Sequence, residues 1–401
     1  MHHPDLERPR SDAMVQVLTL AIAPAVGLGI ARFAYALVLP DMRADLGWSW
    51  AEAGWMNTTN ALGYLAGALL AARAIVHLGA ARTMVTGAAA CVASLGLCAL
   101  LHDTVPLNFA RVLAGFGGGL AFVAGGVLAA SVAADDANRS GFLLGLYYAG
   151  PGVGIALSGL VVPAVLHHAG PGSWALAWGA LTAVSAPLVL MLAHGVRTNA
   201  GAAPATPSMA APRSTQYMAP LLLGYGLFGA GYIAYMTFMV AWVRDAGGSV
   251  LEQAFFWIMI GGAATGSPWV WAGVLEHLRH GHAFALLCTV TALGAALPVV
   301  LDSAVILFAS AVLFGGAFFA VVASTTAFVR RNVQRTDWGR SIGTLTAGFG
   351  IGQMLGPIVA GAINDRTNGL TSGLAASALL LLLGAVIGAA QRDRPAHLNS
   401  A

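Results

Sequence analysis

The stretch GLGIARFAYALVLPDM, Gly27–Met42, sets an arginine inside a run that is otherwise uncharged from Ala13 to Pro40. A run of that length can cross a bilayer, which takes about 20 apolar residues. Arg32 stands about 12 Å of helix short of Pro40 at the ordinary helical rise. An arginine at such depth costs about 2.5–3.5 kcal/mol on insertion scales and is retained where it has a task. The fold follows from whether such runs recur, and the function from what Arg32 holds.

They recur along the whole chain. Of 401 residues, 58% are hydrophobic and 9% charged, with a mean hydropathy of +0.77. Soluble domains carry about 25% charged residues, so a water-facing globule is excluded. All 19 basic residues are arginine. The absence of lysine excludes a Walker A lysine, a Schiff-base lysine and pyridoxal-phosphate chemistry in this chain. Cys91, Cys98 and Cys288 fall inside apolar segments and read as packing residues. EHLRHGH, Glu276–His282, lacks a clean metal-ligand spacing. No HExxH, GxSxG or dinucleotide fingerprint stands in a credible setting. The chain therefore reads as a non-enzyme with no catalytic residue, metal or cofactor. The polar start MHHPDLERPRSDA leads into an apolar run too long for a signal-peptide core, so that run is expected to remain as the first membrane helix.

Hydropathy and turn signals place twelve spans: 14–40, 50–74, 83–101, 105–133, 140–166, 173–193, 217–243, 252–275, 283–300, 304–329, 341–363 and 373–390. HGVRTNAGAAPATPSMAAPRSTQ between the sixth and seventh has linker composition. The expected organisation is a six-helix bundle over 1–193, a linker over 194–216 and a second bundle over 217–401. With the N-terminus cytoplasmic, the inner loops and tails hold Arg8, Arg10, Arg73, Arg82, Arg139, Arg197, Arg213, Arg279, Arg330, Arg331, Arg335, Arg340, Arg392 and Arg394. The outer loops hold only Arg43, Arg244 and Arg366. That bias predicts cytoplasmic termini and an inner-membrane, multi-pass protein. The acids differ: Asp41, Asp45, Glu52, Asp103, Asp245, Glu252, Asp302 and Asp365 lie near outer helix ends, and none sits mid-span.

The halves repeat at an offset of 200. Gly29, Ala34, Tyr35 and Glu52 match Gly229, Ala234, Tyr235 and Glu252, and RVLAG from Arg111 matches AVLFG from Ala311. RSG at Arg139 and RSI at Arg340 precede the two fifth helices. Two related six-helix halves suit a transporter whose site lies between them.

On these features the chain resembles the major facilitator superfamily over essentially its whole length. AGWMNTTNALGYLAGALLAAR and GIARFAYALVLPDM resemble its YbfB/YjiJ-like branch. In LNFARVLAGFG, Leu107, Arg111, Gly115 and Gly117 resemble the fourth-helix motif, with Ala114 where glutamine is common. GPGVG, Gly150–Gly154, resembles the core of the antiporter motif, while Leu146 and Ile155 replace expected glycines. GQMLGP, Gly352–Pro357, is a related segment. The loop after the second span keeps Gly79 and Arg82 but has Ala72 and Val76 where glycine and aspartate are usual. The resemblance implies an all-α, twelve-helix major facilitator fold whose first, fourth, seventh and tenth helices line a central cavity.

Helical spacing puts Arg32 with Gly29 and Tyr35, and Arg111 with Asn108 and Gly115. Two guanidinium groups facing one cavity would suit a carboxylate or phosphate. Alternatively, Arg32 pairs with Asp41 or Glu52 as a latch and Arg111 braces backbone carbonyls. Tyr225, Phe228, Tyr232 and Tyr235 form one helical face, either a cavity wall or a packing stripe. Gln353 has glycine-rich surroundings that permit close approach of a ligand. Glu52, Asn60, Gly150, Pro151, Gly356 and Pro357 are the candidates for gating and helix bending.

The expected function is alternating-access transport of a small organic solute, with a carboxylate-bearing one favoured by the two arginines and proton coupling left open. Polyspecific efflux of hydrophobic or cationic drugs is the alternative, disfavoured by the missing mid-span acids. A non-transporting receptor or scaffold on this fold is another. The expected partners are the solute, protons if coupling exists, and the lipid bilayer, with no nucleic acid and a monomeric chain.

Overall fold

The computed structural model describes residues 10–134, 139–198, 216–301, 303–334 and 337–393. Most of the expected linker, together with Arg8, Arg213, Arg335 and Arg394, lies outside the described residues.

Apolar residues run around the full circumference of most segments, so each satisfies its backbone internally as a helix. The first span is interrupted: α1 (Arg10–Pro24) passes into a π-helical turn (Ala25–Ile30), then α2 (Tyr35–Leu46). Then come α3 (Trp50–Leu78), α4 (Ala80–Leu100), α5 (Thr104–Ala134), α6 (Ser140–Ala169) and α7 (Trp174–Thr198). The second half holds α8 (Ala219–Asp245), α9 (Val250–Val270), the short α10 (Ala272–His277), α11 (His282–Val300), α12 (Ala304–Asn332), α13 (Trp338–Thr367) and α14 (Thr371–Ala389). Among the described residues 11 helical segments are long and apolar enough to cross a membrane, Ala13–Leu46 being the first. The remaining span is α9, diluted by Glu252, Gln253, Trp257 and Trp269 and continued by α10.

The interruption is not where prolines were expected to bend helices. α6 and α13 continue through Pro151 and Pro357. The geometry changes instead after Pro24, where Ala31 N–H and Phe33 N–H reach back five residues to the Val26 and Leu28 carbonyls. Gly29 sits in this turn against α6, where an added Cβ would come within 2.5 Å of the Gly154 Cα and the Pro151 carbonyl. Close approach to α6 thus requires glycine there. Pro151 serves as a contact surface for the interrupted span.

Each half packs around its fourth helix, with α3 and α4 on α5, and α9 and α11 on α12. The halves meet where α3 lies on α13, α6 on α9 and α2 on α8, while α1 packs within its own half. At the end away from the linker, a cross-half seal surrounds Trp50. The Asp365 carboxylate of α13 accepts the Trp50 and Ala51 N–H groups at 2.8 and 3.0 Å. The Trp50 ring meets Phe238 edge-on at 6.0 Å, and the Arg43 guanidinium lies 3.7 Å above it. At the linker end, Gln391 ties to Leu221 and Tyr217, and Arg331 to the Leu275 carbonyl, all within the second half.

Candidate functional site

The interruption leaves the Ala31 and Arg32 carbonyls without the usual helical donors, and Arg111 supplies them. Its Nη1 donates to the Ala31 carbonyl at 2.5 Å and its Nη2 to the Arg32 carbonyl at 3.1 Å, with Asn57 Oδ1 at 3.5 Å. Arg111 is fully buried, its guanidinium 5.2 Å from the Tyr35 ring and 5.6 Å from Trp178. Its backbone carbonyl accepts from Asn60. The expected pair of arginines on one open face therefore does not form: Arg111 lies behind the interrupted span and braces it.

Arg32 points the other way. Its Nη2 donates to Gln353 Oε1 of α13 at 2.8 Å, and Gln353 Nε2 donates to the Tyr232 hydroxyl of α8. The guanidinium carbon lies 4.9 Å from the Tyr64 ring of α3 and 5.7 Å from Phe33. Arg32 is 3% exposed, and no carboxylate among the described residues lies within ion-pairing distance. Among the described residues Nε is sealed without an acceptor, and Nη1 has no acceptor either. Arg32 and Tyr232 occupy equivalent positions of the repeat, so the Arg32–Gln353–Tyr232 chain joins the halves.

The π turn also separates residues that share a face by simple spacing. Tyr35 is turned from Arg32 toward α3, its hydroxyl donating to the Ala53 carbonyl at 2.7 Å. Tyr235, its counterpart, is fully buried, pairs with Ser310 at 2.6 Å and stacks on Phe314 at 4.1 Å. It leaves the aromatic stripe. The other three stripe residues meet a ring not singled out from sequence, Phe349. Its centroid lies 4.5 Å from Tyr225, 5.9 Å from Phe228 and 5.6 Å from Tyr232, with planes 8°, 14° and 9° apart.

Most polar side chains near the site are already bonded. Asn57 Nδ2 donates to Thr237, Thr58 to the Met354 carbonyl and Thr59 to Asn108. Glu52 is the third residue of α3 and closes a capping box with Ser49, as Glu252 does with Ser249 on α9. That role explains their match in the repeat and places neither near Arg32. Asp41 accepts from Gly172 N–H at 3.0 Å. Gly150 sits against the Ala21 carbonyl, Gly356 against Ala230, and Pro357 against Gly54.

Tyr64, Phe33, Phe349 and Phe318, whose ring lies 6.2 Å from Phe33 and 5.9 Å from Tyr232, were missed by sequence reading. They come from four elements and share no local spacing. Only the expectation that Arg32 needs neighbours pointed toward them.

A family described as the uncharacterised MFS-type transporter YbfB matches residues 24–389. No curated protein matches the chain. Among solved structures, the nucleoside transporter NupG (D323A mutant) superposes with a TM-score of 0.70 at 15% identity, covering 94% of this chain and 98% of that one. A bacterial homologue of the human lysosomal transporter Spinster, inward-facing and unoccupied, gives 0.71 at 14%, covering 95% and 97%. Its occupied form gives 0.70 at 16% with the same coverage. At these identities the likeness concerns the fold.

Proposed function

Since the chain belongs to the YbfB-type family of major facilitator transporters, we propose that it carries a small carboxylate-bearing solute across the inner membrane by alternating access, with Arg32 as the anion-binding group. One observation carries this reading. Arg32 is a buried guanidinium that no carboxylate neutralises, held by Gln353 between the halves with Nη1 unspent. A buried charge is paired or hydrogen-bonded unless a ligand completes it. Arg111 enters as the residue that holds the interrupted span in place rather than as a second ligand.

Tyr225, Phe228 and Tyr232 with Phe349 form the apolar wall beside that group. Cross-half contacts through Trp50 and Asp365 support closure at the end away from the linker. Fourteen arginines against three support cytoplasmic termini and linker. Efflux of cationic drugs is disfavoured because the formal charge at the Gln353–Tyr232 chain is that of Arg32, with no carboxylate in ion-pairing distance among the described residues. No carboxylate among the described residues reaches Arg32, so no fixed acid of the chain is assigned to proton coupling. The transporter works as a monomer.

Uptake of labelled carboxylates by proteoliposomes, measured for the parent and Arg32→Gln after subtraction of protein-free liposomes, tests this. Saturable uptake lost in the variant is expected. Equal uptake by both overturns the assignment of Arg32, and binding without uptake supports a receptor instead.

A further inference from the structure

Resting on the reading of Arg32 as the anion-binding group, we infer that the cargo is a monoanionic aromatic carboxylate: one charge on a flat, apolar ring body. Three independent features of the site lead there.

The first is charge. Of the two buried arginines at the centre only Arg32 is open to a ligand, because both terminal nitrogens of Arg111 are engaged by the Ala31 and Arg32 carbonyls and Asn57. Arg32 has Nη2 committed to Gln353, leaving Nη1. One carboxylate is neutralised there. A second carboxylate or a dianionic phosphate would enter a low-dielectric space without a counter-charge, which is strongly unfavourable.

The second is the scarcity of unspent polar groups. A sugar, a nucleoside or a polyhydroxy acid is recognised by several side-chain hydrogen bonds, and a site without them leaves those hydroxyls unpaired. Here most polar side chains contributed by α3 and by the two repeat tyrosines are already used, Asn60 Oδ1 being an exception. Asn57 bonds Thr237, Thr58 bonds the Met354 carbonyl, Thr59 bonds Asn108, Tyr35 bonds the Ala53 carbonyl, and Tyr235 pairs with Ser310. What remains for a ligand is the Arg32 head, ring surfaces and few polar atoms, the hydroxyl of Tyr64 beside Arg32 among them, too few for a polyhydroxy solute.

The third is geometry. Phe349 lies over Tyr225, Phe228 and Tyr232 with all planes within 14° of its own. The array is registered to the cation, because Gln353 bonds both Arg32 and the Tyr232 hydroxyl. A planar ring whose carboxylate meets Arg32 continues this near-parallel stack, and aromatic pairs contribute about 0.5–1.5 kcal/mol beyond the area they bury. A puckered aliphatic ring of the same size gains the burial without the stacking.

The test is a matched series added to the purified protein in detergent: benzoate, 2-naphthoate, cyclohexanecarboxylate, terephthalate, gluconate and benzamide. A ligand that binds only the folded state raises the melting temperature. Benzoate and 2-naphthoate should stabilise the parent, cyclohexanecarboxylate several-fold more weakly, and terephthalate, gluconate and benzamide at least tenfold more weakly. Arg32→Gln should lose the aromatic acids. Phe349→Leu should weaken benzoate to the level of cyclohexanecarboxylate, removing the preference, while both still depend on Arg32. If terephthalate or gluconate stabilises the parent as well as benzoate, and Arg32→Gln abolishes the effect, the monoanionic aromatic class is wrong while Arg32 remains the anion site. If benzamide matches benzoate, or no carboxylate acts through Arg32, both readings fall.

Discussion

The two halves place the same residue types at the same depth and then diverge at one helix. In the first half the opening span is interrupted over Ala25–Ala34, and position 111 is an arginine that takes the two freed carbonyls. In the second half α8 runs unbroken from Ala219 to Asp245, and the equivalent position 311 is alanine. The break and the brace occur together or not at all. At the break stands Arg32, and at the equivalent point of the intact helix stands Tyr232, joined to it through Gln353. A duplicated bundle thus keeps its packing in both copies and concentrates its difference where one helix must turn a charged side chain toward the centre.

The strongest way to break that comparison is Arg111→Gln. It orphans two buried carbonyls at about 1–3 kcal/mol each, and the melting temperature should fall steeply. Arg111→Lys should not rescue it, because a single ammonium lacks the fork that spans two acceptors. A small melting change for Arg111→Gln would dissociate the brace from the break.

Gln353→Glu sharpens the contrast between engaged and free arginine. A carboxylate at that position lies beside Arg32 and competes with any anion, so benzoate stabilisation should drop at least tenfold while the ligand-free protein stays folded. Retained binding would mean that Nη1 is not the attachment point.

The helix starts differ between halves as well. The N-termini of α3 and α9 carry matching capping boxes, but only α3 also receives a carboxylate, Asp365 from the opposite half. Asp365→Asn should weaken that cap by about 0.5–2 kcal/mol. Spin labels at Asp103→Cys, just before α5, and Val305→Cys, in the first turn of α12, should then show a longer-distance population. An unchanged distribution would remove Asp365 from the seal.

The smallest effects belong to Glu52→Gln and Glu252→Gln. Each should lower the melting temperature only slightly and leave the pH dependence of uptake unaltered. A shifted pH profile in either would give that acid a coupling role beyond its cap.

The fold was legible because membrane solvation allows few solutions: long apolar runs, a linker and a repeat at an offset of 200 leave little else. Arg32 was legible for the same reason, since a charge in such a run is conspicuous. The direction of Arg111 was not, because it depends on carbonyls that are free only once the first span leaves α-helical geometry. Pro24, Gly27 and Gly29 permit that change without dictating it. Spacing arguments assumed 3.6 residues per turn throughout and so put Tyr35 beside Arg32. The Glu52 and Glu252 pair was visible as a repeat, while its cause, serine three residues earlier, is a local signal that could have been read. Phe349 and Tyr64 needed the tertiary arrangement.

The most direct test sets the two arginines side by side: melting temperatures of the parent, Arg32→Gln and Arg111→Gln, each with and without benzoate. The prediction is that Arg32→Gln melts near the ligand-free parent and loses the benzoate shift, whereas Arg111→Gln melts well below both. An Arg32→Gln protein that keeps the shift, or that loses as much stability as Arg111→Gln, would contradict the division between a free arginine and a bracing one.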